Sequence, residues 1–175
     1  MKKHFYFLFL VASIATPQIL SAQDETKAKR PENIGVSDFD SFKNNSFDIL
    51  DESANLKTDA ARIDTDVKSY AGGLASVSVE KLKADFSALK GIGKSSKELT
   101  TRIGTLDEQG KQLLASAKSV KPMTKSPQAT GNTNKSIKGL DSSRKNLDGI
   151  TAIVQENTKL LADELKKRGE TVEED

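Results

Sequence analysis

Apolar and small residues recur along this chain in steps of three and four over three long stretches, with polar residues filling the intervals. In the first stretch the pattern occupies positions 39, 42, 46, 49, 53, 56, 60, 63, 67 and 70, and Phe47 and Leu50 widen it near the start. In the second it runs through 82, 86, 89 and 93, then through 99, 103, 106, 110, 113, 117 and 120. In the third it is carried by Ile137, Leu140, Leu147, Ile150, Val154, Leu161 and Leu165, with Ile153 and Leu160 alongside. A seam that alternates threes and fours suits a helix lying against other helices. The pattern therefore predicts an all-α fold: an elongated up-and-down antiparallel bundle of three long helices, over about 37–71, 79–120 and 134–168.

The punctuation agrees with that division. Ser37, three residues before Asp40, is placed to cap the first helix, and the early acids favour the positive end of its dipole. Gly72-Gly73 supplies the positive φ that ends a helix, and Ser76 or Ser78 caps the next one. Pro122, Pro127 and Gly131 make 121–133 a loop. Gly169 stops the third helix before a short acidic tail over 170–175. The middle stretch has one flaw. Gly91 and Gly93 lie two residues apart, the seam steps 93, 96, 99, and Ser95 with Glu98 spells a capping box. One helix kinked near 91–95 is the reading carried forward. A break there, giving four helices, is the alternative.

The first 22 residues stand apart. Lys2, Lys3 and His4 precede an unbroken apolar and small run, Phe5 to Ala15, with Pro17 after it and Ala22 at the expected cut, as in a secretory signal peptide. The run falls short of the ~20 residues that span a bilayer, so a leader fits better than an anchor. No second apolar run follows, so no transmembrane segment is expected after its removal. Residues 23–36, polar and containing Pro31 and Gly35, read as a flexible arm. The expected location is extracytoplasmic, either periplasmic or secreted.

Composition narrows the chemistry. Apolar content is 35% and aromatic content 5%, a lean supply that suits helices sharing a narrow seam. The formal charge is +2, and Lys2 and Lys3 account for it, so the remainder is balanced and nucleic acid is not an expected partner. Cysteine is absent and the one histidine is His4, which removes Cys or His nucleophile and base schemes, disulfides and most zinc or copper sites beyond the leader. No catalytic, cofactor-binding or metal-ligating residue is assigned. Gly93-Lys94-Ser95 lacks the upstream glycine and strand of a phosphate loop, and Gly91-x-Gly93 lacks the third glycine of a dinucleotide fingerprint. Asp38-x-Asp40 and Asp64-x-Asp66 are followed by Phe42 and Lys68 where a calcium loop needs oxygen ligands. Asn44-Asn45-Ser46 and Asn134-Lys135-Ser136 are glycosylation sequons in spelling.

One basic stretch stands out. Lys118, Lys121, Lys125, Lys135 and Lys138 are the candidate contacts for an anionic partner, such as an envelope surface or an acidic protein. In an up-down-up bundle they would also lie near the acidic start of the first helix. Small residues at seam positions, Ser46, Ser53, Gly93 and Gly110, are expected to thin the core, and either let helices approach closely or leave a surface that a partner completes. Three function classes follow. An exported, non-catalytic bundle acting as an adaptor, spacer or protein-binding module, by a protein partner or self-association, is the expectation. A reversible binder of lipid surfaces through amphipathic helices is the alternative, and an enzyme fits least.

Overall fold

A computed structural model describes residues 29–70 and 72–172. The leader, residues 23–28 and the last three residues of the acidic tail lie outside the described residues. Three long helices make up the fold: α1 (Ser37–Ser69), α2 (Val79–Ser116) and α3 (Ser126–Lys167), and no strand occurs among the described residues. At ~1.5 Å per residue the longest is about 60 Å. Phe42 on α1, Gly110 on α2 and Ile137 on α3 share one layer, and Asn146 and Asn157 on α3 reach Ser53 and Asp64 on α1. α1 and α3 therefore run parallel, and α2 returns antiparallel to both. α3 makes the most extensive contacts with both of the others, whereas α1 and α2 touch less.

The α1 seam is the expected one. Phe39, Phe42, Ile49, Ala60, Ile63 and Val67 are buried, as are Ser46 and Ser53, while Leu56 and Tyr70 are half-buried. In α2 the register differs over the first four turns. Leu82, Asp85, Leu89, Ile92, Ser96 and Leu99 are the buried positions, and Phe86 and Gly93 flank them half-buried. The buried set keeps strict alternating steps of three and four through to Val120. The flaw near 91–95 thus belongs to the flanking stripe and not to the core seam, and α2 runs unbroken through both glycines. Ser95 and Glu98 start no new helix.

α3 begins at Ser126, eight residues before the expected start, so the expected loop over 121–133 shrinks to a short connection. Pro127 falls in the first turn, where its missing N–H costs no helical bond and its fixed φ suits the helix. The extra turns bury Ala129 and Thr133. Further along, Ser136, Ser143 and Asn157 fill seam positions between the leucines. Thr133, Ser136 and Ser143 each donate to the carbonyl four residues back, at 2.8–2.9 Å, which satisfies the hydroxyl without a cross-helix partner.

Residues 29–36 do not stand free as an arm; they fold back along α1. Asp40 accepts from the backbone N–H groups of Ile34, Gly35 and Val36 at 2.8–3.1 Å. This reverses the expected cap: Ser37 is the first helical residue, and Asp40 reaches back to hold the entering chain. Buried Lys43 donates to the Pro31 carbonyl and the Asn33 side chain. Asn132 on α3 donates to the Glu32 carbonyl at 2.9 Å. Arg30 sits 5.9 Å from the Phe47 ring and pairs with Asp48 and Asp51. The strap covers Phe47, which explains the wider apolar face at the start of α1.

The other end of the bundle is tied by polar groups. Gly72 and Gly73, at φ +84° and +77°, turn the chain after α1, and Ser78 caps α2 by accepting from the Lys81 N–H. Arg168, past the end of α3, donates to the Leu74 and Val77 carbonyls and to Glu164. Gly169, at φ +81°, closes α3, with Gly169 N–H on the Lys166 carbonyl and Glu170 N–H on that of Leu165. Asp64 receives Asn157 and Lys68; burial raises its pKa, but these two hydrogen bonds and the charge of Lys68 together outweigh that and hold it below the usual carboxylate value.

Tyr70 donates to buried Asp85 at 2.7 Å, and Lys81 donates to the other carboxylate oxygen at 2.6 Å. Burial and the Asp85 hydrogen bond both raise the Tyr70 pKa above 10.0, so the folded state favours the neutral phenol. The stability this contributes is whole below pH 10.0 and is lost as pH rises through the higher folded value. Tyr70 is the sole tyrosine beyond the leader. Phenolate absorbance of the chain without residues 1–22 should therefore report one transition above that of free tyrosine. Asp85→Asn should move it back toward the free value; a transition at the free value in the unsubstituted chain would contradict the Tyr70–Asp85 pairing.

Candidate functional site

The flanking stripe of α2 and one flank of α3 enclose a groove of about 810 Å³. Phe86 and Gly93 from α2 and Ile150, Val154 and Ala162 from α3 give it an apolar floor. Its α2 wall runs from Phe86 to Thr100, roughly 20 Å of helix. Gly93 keeps the floor deep: a methyl group there would fall 3.3 Å from Val154 Cγ1.

The rim is charged with one dominant sign. Lys90, Lys94 and Lys97 on α2 and Lys159 on α3 face a single acid, Asp163. Lys90 also lies 5.9 Å from the Phe86 ring. Among the described residues Lys94, Lys97 and Lys159 form no ion pair. Two hydroxyls in the lining, Ser96 Oγ and Thr158 Oγ1, are buried without a hydrogen-bond partner, and Ser96 is only 6% exposed. Most helical serines and threonines of this chain bond a carbonyl of the preceding turn, so these two stand out. A buried hydroxyl left unpaired costs about 1–3 kcal/mol. A groove between α1 and α2 is smaller, about 310 Å³, and mixes Glu52, Asp59 and Glu98 with Arg102.

The five lysines singled out by the sequence lie elsewhere. Lys118, Lys121 and Lys125 surround the α2–α3 connection, and Lys135 and Lys138 follow on the exposed surface of α3. They share one end of the bundle without lining either groove. Lys125 does approach the start of α1, but its amine meets the Gly35 carbonyl at 3.5 Å and not an acid. Glu52 pairs instead with Arg102, and Asp48 with Arg30.

The sequence pattern singles out none of Lys90, Lys97 and Lys159, and Lys94 only within the rejected phosphate-loop fragment Gly93-Lys94-Ser95. The signal was present: Lys90, Lys94 and Lys97 follow each other at steps of four and three, beside a second apolar stripe through Phe86 and Gly93. Periodicity alone assigns that stripe to the core, which leaves nothing in the sequence to mark the lysines beside it as a rim.

Among the described residues no helix is long and apolar enough to cross a membrane, and no group of three or more His, Cys, Asp or Glu is placed to hold a metal ion. No protein-family model, curated protein or solved structure matches the chain.

Proposed function

We propose that this protein is an exported, non-catalytic helical bundle that works as an extracytoplasmic adaptor, binding another protein along the groove between α2 and α3. The observation that carries the reading is that groove: an apolar floor with a rim of lysines. Exposed large apolar side chains among the described residues are limited to Met123 and Leu160, so the groove is the main apolar surface on offer. The leader sequence supports export, and the residue types beyond it supply no imidazole or thiol for catalysis.

The reading is tested by crosslinked capture of the tagged protein from its native cells, against a form deleted for residues 2–22. The expected result is a reproducible protein partner recovered with the full chain and lost with the deletion, together with an N-terminus processed near Ala22. Recovery of lipid alone, or retention of the leader with the protein left inside the cell, would overturn it.

A further inference from the structure

The occupant's chemistry is legible in the groove, and naming it rests on the protein-binding reading above. We infer that the groove between α2 and α3 receives one amphipathic α-helix of a partner protein, about four turns long, with acidic residues on both sides of its apolar stripe.

Three features select that occupant. The walls are helices and offer no strand edge, so an incoming strand or coil would leave its own backbone groups unpaired, whereas a helix satisfies them internally. The groove's length along α2, Phe86 to Thr100, matches about 14 helical residues. The lysines are spread along α2 at 90, 94 and 97 and recur on the α3 wall at 159. Such a spread complements carboxylates repeated along a helix; a lipid or fatty acid would present one charged head.

A second folded copy of this chain does not fit. Its core seams are already buried in its own bundle, its flanking stripe lies recessed in the groove under a lysine rim of the same sign, and Met123 and Leu160, its exposed large apolar residues among those described, lie 37 positions apart in the sequence and make no continuous helical stripe.

The test uses the chain without its leader, isotope-labelled for amide NMR, and a hydrocarbon-stapled peptide of about 14 residues with a leucine stripe flanked by glutamates. The staple is needed because so short a helix is marginal in water. Saturable shifts should be confined to amides of 86–100 and 150–163 and weaken as salt is raised. Lys94→Glu with Lys97→Glu, on the exposed rim, should weaken binding about tenfold. A peptide with lysines in place of the glutamates should bind the unsubstituted chain weakly and the double variant better.

Equal binding of both peptides, shifts outside the groove, a response only to oleate or anionic vesicles, or dimers by sedimentation that occlude the groove would each overturn the inference. If native capture still returns a groove-bound protein while the acidic peptide fails, the occupant's chemistry is wrong and the protein-binding reading stands. If native capture returns no protein, that reading itself falls.

Discussion

Replacing Phe42 by alanine should cost about 3–5 kcal/mol of unfolding free energy, measured by urea denaturation. The ring is fully buried and sits where the three helices converge, with its tip against Gly110. A methyl group on Gly110 would fall 2.8 Å from Phe42 Cζ and 3.2 Å from Ile137 Cγ1. Gly110 is thus the socket for the ring, and the two residues should be coupled. Ordinarily glycine to alanine inside a helix gains up to ~1 kcal/mol, and Gly104, with nothing within 4 Å of an added methyl, should show that gain. Gly110→Ala should instead destabilise, because a rigid ring in a packed layer gives way poorly. In a Phe42→Leu background, which removes the ring tip, Gly110→Ala should become neutral or stabilising. Additive single and double changes would contradict the packing described here.

Arg168→Ala should cost about 2–3 kcal/mol. Its guanidinium joins the Leu74 and Val77 carbonyls on the α1–α2 connection to Glu164 on α3, so removal strands two part-buried acceptors and frees one end of the bundle. Arg168→Lys should recover little, since an ammonium cannot span both carbonyls with a planar fork. Amide hydrogen exchange should quicken most over 74–79. Uniform quickening across all three helices, or full rescue by lysine, would show that the fork does not hold this end.

The helices are legible because their seams are regular and because α1 and α3 are followed by glycines with positive φ, at 72–73 and 169. Errors arose where two principles competed. At the start of α2 two apolar stripes overlap, and Phe86 outweighed Asp85 as a core candidate. The structure buries Asp85 because Tyr70 and Lys81 satisfy it, a partnership that spans 15 residues and is invisible to periodicity. The start of α3 was missed because Pro127 and Gly131 read as breakers, although proline in a first turn is compatible with helix. The strap was missed because its contacts, Asp40 on three backbone N–H groups and Lys43 on a carbonyl, are long-range polar ones that composition does not signal.

The site was less legible than the fold for the same reason. Lys118, Lys121, Lys125, Lys135 and Lys138 are dense in sequence, and local density is all a sequence displays. Lys90, Lys94 and Lys97 gain significance only when α3 brings Lys159, Val154 and Thr158 to face them.

A photo-reactive residue placed at Lys97, on the groove rim, tests the central claim most directly when compared with the same residue at exposed Ala61 on α1. Irradiated in native cells, position 97 should yield a discrete protein adduct that position 61 does not. Equal adducts at both positions, or none at 97 while the protein is exported and folded, would contradict a protein-binding groove between α2 and α3.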